Sequence, residues 1–125
     1  TKEGKELDWA RAKVALAAHA ANVDVLDTVY SDVNDDEGLA EDTRKIKQLG
    51  FNGKACINPR QIPIIHSVFN PTQKEIDKAI AIVRAANENQ GGVVSLNGKM
   101  IDYPVVKRAE HTLQLAGINT EEIGG

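Results

Sequence analysis

The sequence has few of the features that would assign it to a specialised class of protein. Its 125 residues include one cysteine, Cys56, which cannot form an internal disulfide, so we expect a reduced, intracellular protein. Aromatic residues make up 4% of the chain and the net charge is −3, which gives no reason to expect a nucleic-acid or membrane-surface partner. No apolar run approaches the roughly 20 residues of a membrane span, and the first residues show no signal-peptide pattern. These absences predict a cytoplasmic globular protein.

Helix and strand patterns alternate in the first part of the chain. Apolar residues recur at helical spacing from Leu7 to Ala21, and β-branched residues then predict a strand from Val23 to Val29. A helix that ends at Gly50 follows, and a second apolar strand that includes Cys56 is predicted from Phe51 to Ile57. This order is typical of a parallel α/β architecture.

A different pattern follows the dipeptide Asn70-Pro71. The stretch Thr72-Gln-Lys-Glu75 is a capping box that predicts the start of a helix. Asn97-Gly98 then predicts a hairpin between strands at Val93–Leu96 and Lys99–Ile101, with a last helix after it. We therefore predict two domains, residues 1–70 and 71–125.

The first domain contains too few strands to stand alone. Two buried parallel strands with about three helices neither close a barrel nor form a sheet of ordinary width. The chain also begins without an initiator Met, which is compatible with an N-terminus that lies further upstream. We expect this region to be the end of a larger α/β domain.

Polar residues follow both predicted strands, at the position where α/β proteins usually hold ligands. Tyr30 and Asp32 follow the first strand, and Asn58 and Pro59 follow the second. These four residues are candidate binding residues. The alternative is loop geometry, because Asn-Pro is a good strand breaker.

Five sequence blocks, in this order, carry a resemblance to one family: Tyr30-Ser-Asp-Val-Asn-Asp-Asp-Glu-Gly-Leu39, Leu49-Gly-Phe-Asn-Gly-Lys54, Ile57-Asn-Pro-Arg-Gln-Ile62, Phe69-Asn-Pro-Thr72 and Asn97-Gly-Lys-Met-Ile-Asp-Tyr-Pro104. The chain resembles the citrate lyase β subunit and its relatives, the citramalyl-CoA and malyl-CoA lyases, within the HpcH/HpaI aldolase/citrate lyase family. The resemblance extends from about Glu6 to Leu115 and favours the citrate lyase branch.

The resemblance implies a fold. The family forms a TIM (β/α)8 barrel with a C-terminal extension, and this chain resembles only the C-terminal part. By that comparison, residues 1–70 are the end of the barrel. They contain its last two strands, which are the two predicted here, and the helices that flank them. Residues 71–125 are then a mainly helical extension that contains the hairpin. Asp27, inside the first strand, is expected either to point into the barrel or to make a structural hydrogen bond.

The resemblance also implies an activity. It is the Mg²⁺-dependent cleavage of a citryl thioester, carried by an acyl carrier protein or CoA, to acetyl thioester and oxaloacetate. The alternatives are a citramalyl-CoA or malyl-CoA lyase, or a non-enzymatic assembly module if the chain is complete. The family's Mg²⁺ ligands lie upstream, so we assign no metal ligand here and expect this segment alone to be inactive. The loop after Tyr30 also contains an acidic cluster, which consists of Asp32, Asp35, Asp36 and Glu37. We expect this cluster to cap and solvate a helix rather than to bind metal.

Asp102 is the candidate catalytic residue. In related lyases the Asp of this block is carried by the extension into a neighbouring subunit, where it acts in proton transfer. The alternative is that Asp102 caps the following helix, and the two roles do not exclude each other. The resemblance implies a thioester-binding role, mainly through backbone groups, for Tyr30, Asp32, Asn58 and Pro59. It also implies a homo-oligomer, with citrate lyase α and acyl-carrier subunits as further candidate partners.

Overall fold

The chain separates into two compact units, Thr1–Phe69 and Asn70–Gly125. The computed structural model describes residues 1–90 and 94–123. Over these residues, no helix combines the length and the apolar character that are needed to cross a bilayer.

The first unit has the predicted alternation of helices and strands. After a short 3₁₀ turn at Lys5–Leu7, its elements are α1 (Asp8–Ala21), β1 (Leu26–Asp27), α2 (Asp36–Leu49), β2 (Gly53–Lys54) and α3 (Gln61–Phe69). The two strands pair in parallel, with Leu26 opposite Gly53 and Asp27 opposite Lys54. The parallel arrangement that the sequence predicted is confirmed.

Local signals in the sequence set the ends of α2. Asp35 is the N-cap, and its Oδ1 accepts a hydrogen bond from the backbone N–H of Gly38 (2.9 Å). The helix ends at Gly50, whose φ of 98° is a left-handed conformation that glycine adopts without strain. The capping role that we predicted for the acidic cluster is confirmed for Asp35.

The strands are shorter than predicted. Of the predicted ranges Val23–Val29 and Phe51–Ile57, only Leu26–Asp27 and Gly53–Lys54 form a ladder. The strand pattern in the sequence reports burial and β-propensity, whereas a ladder also needs a partner at each residue. The placement of Cys56 inside a strand was wrong, because the ladder ends at Lys54 and Cys56 is exposed in the loop after it.

The core of the first unit lies where α1 and α2 meet the strand segments. Ala15 and Ala18 of α1 are buried, and these small side chains allow the helix to pack closely. Ile46 of α2 has no exposed surface. The remaining side chains of this cluster are Val25 and Phe51, with Leu49 and Phe69 packed against them.

In the part of the second unit that the structure describes, there are two helices and a hairpin. Its elements are α4 (Gln73–Glu88), β3 (Val94–Leu96), β4 (Lys99–Ile101) and α5 (Tyr103–Leu115), followed by a 3₁₀ turn at Thr120–Glu122. The predicted capping box of Thr72 and Glu75 is present at the start of α4. The antiparallel hairpin is also confirmed, with Asn97 and Gly98 both at positive φ (52° and 75°). Val93, predicted as the first hairpin residue, lies outside the described residues.

Helices α4 and α5 supply most of the second core. The buried side chains are Ala79, Val83, Ala109, Leu113 and Ile123, and the partly buried residues around them are Ile76, Ile80, Ile82 and Ile118. The buried positions of α4, Ala79 and Val83, lie four residues apart and thus on one face of the helix.

Candidate active site

The four predicted binding residues of the first unit lie at one edge of its small sheet. Tyr30 and Asp32 are in the loop after β1, and Asn58 and Pro59 are in the loop after β2. Because the two strands are parallel, both loops leave from the same edge. The structure therefore places all four residues in the loops at the carboxyl ends of the two strands.

Gln61 connects the two loops. Its side-chain Nε2 donates to the backbone carbonyl of Tyr30 (2.9 Å), and its Oε1 accepts from the backbone N–H of Ile57 (3.0 Å). The residue is 2% exposed. Gln61 stands within one of the five sequence blocks, but no pattern in the sequence indicated that it bridges two loops.

Tyr30 packs against the start of α2. Its hydroxyl donates to Asp35 Oδ2 (2.8 Å), and a Cβ added at Gly38 would lie 2.3 Å from that hydroxyl, so this close approach requires glycine. Burial, and then the hydrogen bond to the Asp35 carboxylate, raise the pKa of Tyr30. Its hydroxyl thus stays protonated and fixes the loop to α2.

Asp32 and Asp35 share one cation. Lys2 Nζ lies 3.2 Å from Asp32 Oδ2 and 2.9 Å from Asp35 Oδ2. The hydrogen bond from Lys2, followed by that from the Gly38 N–H, lowers the pKa of Asp35 to about 2. The Oδ1 of Asp32 also accepts from the N–H of Asn34 (3.1 Å). The side chains of both acids are therefore already engaged in local structure.

Asn58 forms the turn that starts α3. Its Oδ1 accepts from the N–H of Arg60 (2.9 Å), and its backbone carbonyl accepts from the N–H of Gln61 (2.9 Å). Pro59 is exposed beside it. The loop-geometry alternative for Asn58 is thus present in the structure, and a binding role for these residues stays a prediction.

Asp102 belongs to the second unit. It is exposed at the N-cap of α5, where its Oδ1 accepts from the N–H of Val105 (3.2 Å). The capping alternative is confirmed. The second carboxylate oxygen is not needed for the cap, so a role in proton transfer stays a prediction.

Asp27 lies in a buried network of charges that no sequence pattern revealed. Arg11 on α1 donates to both carboxylate oxygens of Asp27 (3.1 and 2.8 Å) and also to Asp42 of α2 (3.0 Å). Lys54 Nζ donates to Asp27 (2.7 Å), to Asp42 (2.6 Å) and to the backbone carbonyl of Thr28 (3.0 Å). Asp27 was expected either to point into the barrel or to make a structural hydrogen bond. In the structure it makes structural hydrogen bonds, on the sheet face that the helices cover.

The network balances its own charge. Two cations face two carboxylates, and the Lys54 side chain has no exposed surface. Burial would raise the pKa of Asp42, but hydrogen bonds from Lys54 and Arg11 outweigh it and keep that pKa below its ordinary value. Burial would likewise lower the pKa of Arg11, and its bonds to Asp27 and Asp42 raise it overall. Asp42 and Arg11 are therefore ionised at neutral pH, and the network joins both strands to both helices.

The first unit also has an open polar cleft of about 770 Å³. It lies between the N-terminal segment and α2, and its lining includes Lys2, Lys45 and Glu41. Tyr30 reaches its wall, whereas the other predicted binding residues do not line it. The cleft therefore does not coincide with the edge where the strand-end loops meet.

The residues that the structure describes do not fit a magnesium site. Across residues 1–90 and 94–123, no group of three or more His, Cys, Asp or Glu side chains could hold a metal ion. Asp27 and Asp42 are held by Arg11 and Lys54, and Asp35 by Lys2. We therefore derive no reaction step through a metal from these residues.

Solved structures share the fold. The crystal structure of the protein CitE from Mycobacterium tuberculosis, in complex with magnesium, acetoacetate and coenzyme A, matches 86% of this chain and 40% of that one. Its TM-score is 0.73 at 36% identity. A citrate lyase from Burkholderia xenovorans matches 92% of this chain and 37% of its own, with a TM-score of 0.75 at 24% identity. The predicted fold class, the C-terminal segment of a (β/α)8 barrel with a helical extension, is confirmed.

Sequence comparisons name the family. Residues 1–59 match the family HpcH/HpaI aldolase/citrate lyase. The chain is 52% identical to citrate lyase subunit beta of Haemophilus influenzae, over 95% of this chain and 43% of that protein. It is 35% identical to the mitochondrial citramalyl-CoA lyase of Mus musculus, over 92% of this chain and 35% of that protein. Residues 1–59 are therefore similar to part of an HpcH/HpaI aldolase/citrate lyase domain, and the resemblance found in the five sequence blocks is confirmed. The chain spans about two fifths of the length of its citrate lyase relatives.

Proposed function

We propose that this chain is the C-terminal part of an acyl lyase that cleaves a citryl thioester, carried by an acyl carrier protein, to acetyl thioester and oxaloacetate. The observation that carries the proposal is the 52% identity to a citrate lyase subunit beta along 95% of the chain. The second candidate substrate is citramalyl-CoA, supported by the 35% identity to a lyase of that name. The higher identity favours the citryl thioester.

The chemistry requires proton transfer at two atoms. The bond that breaks joins the carbinol carbon of the citryl group to the carbon next to the thioester carbonyl. The carbinol loses its O–H proton to a base and becomes the keto group of oxaloacetate, while the electron pair of the broken bond moves to the carbon next to the thioester carbonyl and forms an enolate. That carbon then takes a proton from an acid, and acetyl thioester results.

We assign this proton transfer to Asp102. Its carboxyl group is exposed, and the cap bond to the N–H of Val105 holds it in place with one oxygen free to react. We further propose that the extension carries Asp102 to the active site of a neighbouring copy. The assembly is then a homo-oligomer, located in the cytoplasm, with citrate lyase α and acyl-carrier subunits as partners.

The thioester is proposed to bind at the edge formed by Tyr30, Asp32, Asn58 and Pro59. Backbone groups are the main contacts, because the side chains of Asp32 and Asn58 are occupied by their own turns. Mg²⁺ would supply stabilisation of negative charge on the substrate oxygens. Its ligands are proposed to lie upstream of this chain, since the described residues do not fit a metal site.

A comparison of substrates tests the proposal. The full-length protein is supplied with citryl, citramalyl and malyl thioesters, and the keto acid released from each is measured with Mg²⁺ and after its removal with EDTA. We expect the highest kcat/KM for the citryl thioester and loss of turnover with EDTA. A higher kcat/KM for citramalyl-CoA would replace the citryl assignment by the second candidate.

A further inference from the structure

Between the two strand-end loops, side chains continue the hydrogen bonding where the β-ladder stops. The backbone N–H of Ala55 donates to the carbonyl of Asp27 (2.9 Å) at the end of the ladder. One residue further along the first loop, the carbonyl of Thr28 accepts from Lys54 Nζ (3.0 Å). Two residues beyond that, the carbonyl of Tyr30 accepts from Gln61 (2.9 Å). Gln61 thus forms the outermost of three successive bonds along this loop.

The chemistry of an amide suits this position. Gln61 faces a backbone N–H, which can only donate, and a backbone carbonyl, which can only accept. The side-chain amide has one donor group and one acceptor at the same end, so its two partners fix its orientation. At 2% exposure, water cannot replace either bond without an opening of the loops.

We propose that Gln61 is a positioning residue that sets the distance between the two loops, and with it the geometry of the thioester-binding edge. This inference rests on the proposed function for its effect on substrate. Among the proposed binding residues, Gln61 contacts the carbonyl of Tyr30 through its side chain and the carbonyl of Asn58 through its backbone N–H. It acts by holding Tyr30 and Asp32 on one side in register with Asn58 and Pro59 on the other.

Two variants of the full-length protein separate the two bonds. Gln61→Met has a similar volume and loses both bonds. Gln61→Glu keeps an acceptor for the Ile57 N–H, but its ionised carboxylate has no proton to donate to the Tyr30 carbonyl. Gln114→Glu, the same chemical change at an exposed position of α5, is the matched control.

Amide hydrogen exchange, resolved by residue, measures the loops without reference to activity. We expect faster exchange at residues 28–32 in both Gln61 variants. We expect the Ile57 amide to lose protection in Gln61→Met and to keep it in Gln61→Glu. The control should match the wild type. Wild-type exchange at residues 28–32 and at Ile57 in both variants would overturn the proposal.

Steady-state kinetics then measure the effect on the site. We expect both Gln61 variants to raise KM for the citryl thioester at least about tenfold, since misplaced binding groups weaken substrate capture. A role in folding alone would lower Tm and the active fraction, and hence the apparent kcat, while KM stays constant. An unchanged KM in both variants would therefore contradict the positioning role. If the wild type turns over no thioester, the proposed function fails, and the exchange data alone decide whether Gln61 ties the loops.

Discussion

At the scale of single residues, the buried charge network is the most demanding feature of the first unit. Arg11 and Lys54 each contact both Asp27 and Asp42, and every member is largely shielded from water. Removal of one cation leaves a carboxylate buried with too few partners, which costs more free energy than the loss of an exposed ion pair. The network should therefore respond to both mutation and pH.

Lys54→Met should lower the free energy of unfolding by about 3–5 kcal/mol, because Asp27 and Asp42 lose a buried partner. The matched control is Lys13→Met on α1, whose ammonium lies 4.9 Å from the centre of the Trp9 ring on the exposed surface. That change should cost about 1 kcal/mol or less. Urea unfolding followed by circular dichroism measures both, and equal losses would contradict the structural importance of the network.

Acid should remove the contribution of Asp42. The pKa of Asp42 in the folded protein lies below its ordinary value of 3.8, so its ion pairs stabilise the fold above that pH and are lost as the pH falls through the lower value. Asp42→Asn should be less stable than the wild type at neutral pH, and the difference should shrink below pH 3.8. Asp24→Asn, at an exposed position, serves as the control. A difference that is constant down to pH 2 would refute this assignment.

At the scale of helices and strands, local signals were enough to predict the helices but not the extent of the strands. Asp35 and Gly50 mark the ends of α2. Both can be recognised in the sequence because capping hydrogen bonds join residues within one turn of the helix. The strand ladder depends on neighbours elsewhere in the chain, so the predicted length of each strand exceeded the paired length. The charge network escaped prediction for the same reason, because Arg11 and Asp42 are 31 residues apart.

The candidate site was predictable to a similar degree. Asn-Pro after an apolar segment and the acidic loop after Tyr30 located the strand-end edge from sequence alone. Gln61 could not be predicted, since the carbonyl that it contacts lies 31 residues away. The cap at Asp102 was predictable from the helix that follows it.

The first unit has exposed apolar side chains in and beside its small sheet. Leu26 of β1 is 69% exposed, and Val23 and Ile57 are exposed in the segments that flank the strands. Strand edges and exposed apolar patches promote association. The chain of residues 1–125 should therefore self-associate, with an average mass above 13.5 kDa that rises with concentration in sedimentation velocity.

A matched pair of variants tests this surface. Leu26→Lys should reduce the association, whereas Leu115→Lys, at an exposed leucine of α5, should not. A monomer at every concentration, or an equal response to both changes, would show that this surface is not the contact.

At the scale of the whole molecule, the candidate binding residues and the candidate catalytic residue belong to separate units. The strand-end loops belong to Thr1–Phe69, and Asp102 belongs to Asn70–Gly125. This division accords with the proposal that the extension of one copy completes the site of another. Activity is expected of the full-length assembly and not of this segment, which spans about two fifths of its citrate lyase relatives and whose described residues do not fit a metal site.

The most direct test is proton exchange at the acetyl thioester. In the reverse direction the proton-transfer group removes a proton from the carbon next to the thioester carbonyl, so the full-length protein in D₂O should incorporate deuterium there, as detected by NMR. Asp102→Asn keeps the cap, so Tm should stay close to that of the wild type, while the exchange rate should fall by at least about 10²-fold. If Asp102→Asn exchanges at the wild-type rate, the proposed proton transfer is contradicted. The role of Asp102 is then only to cap α5.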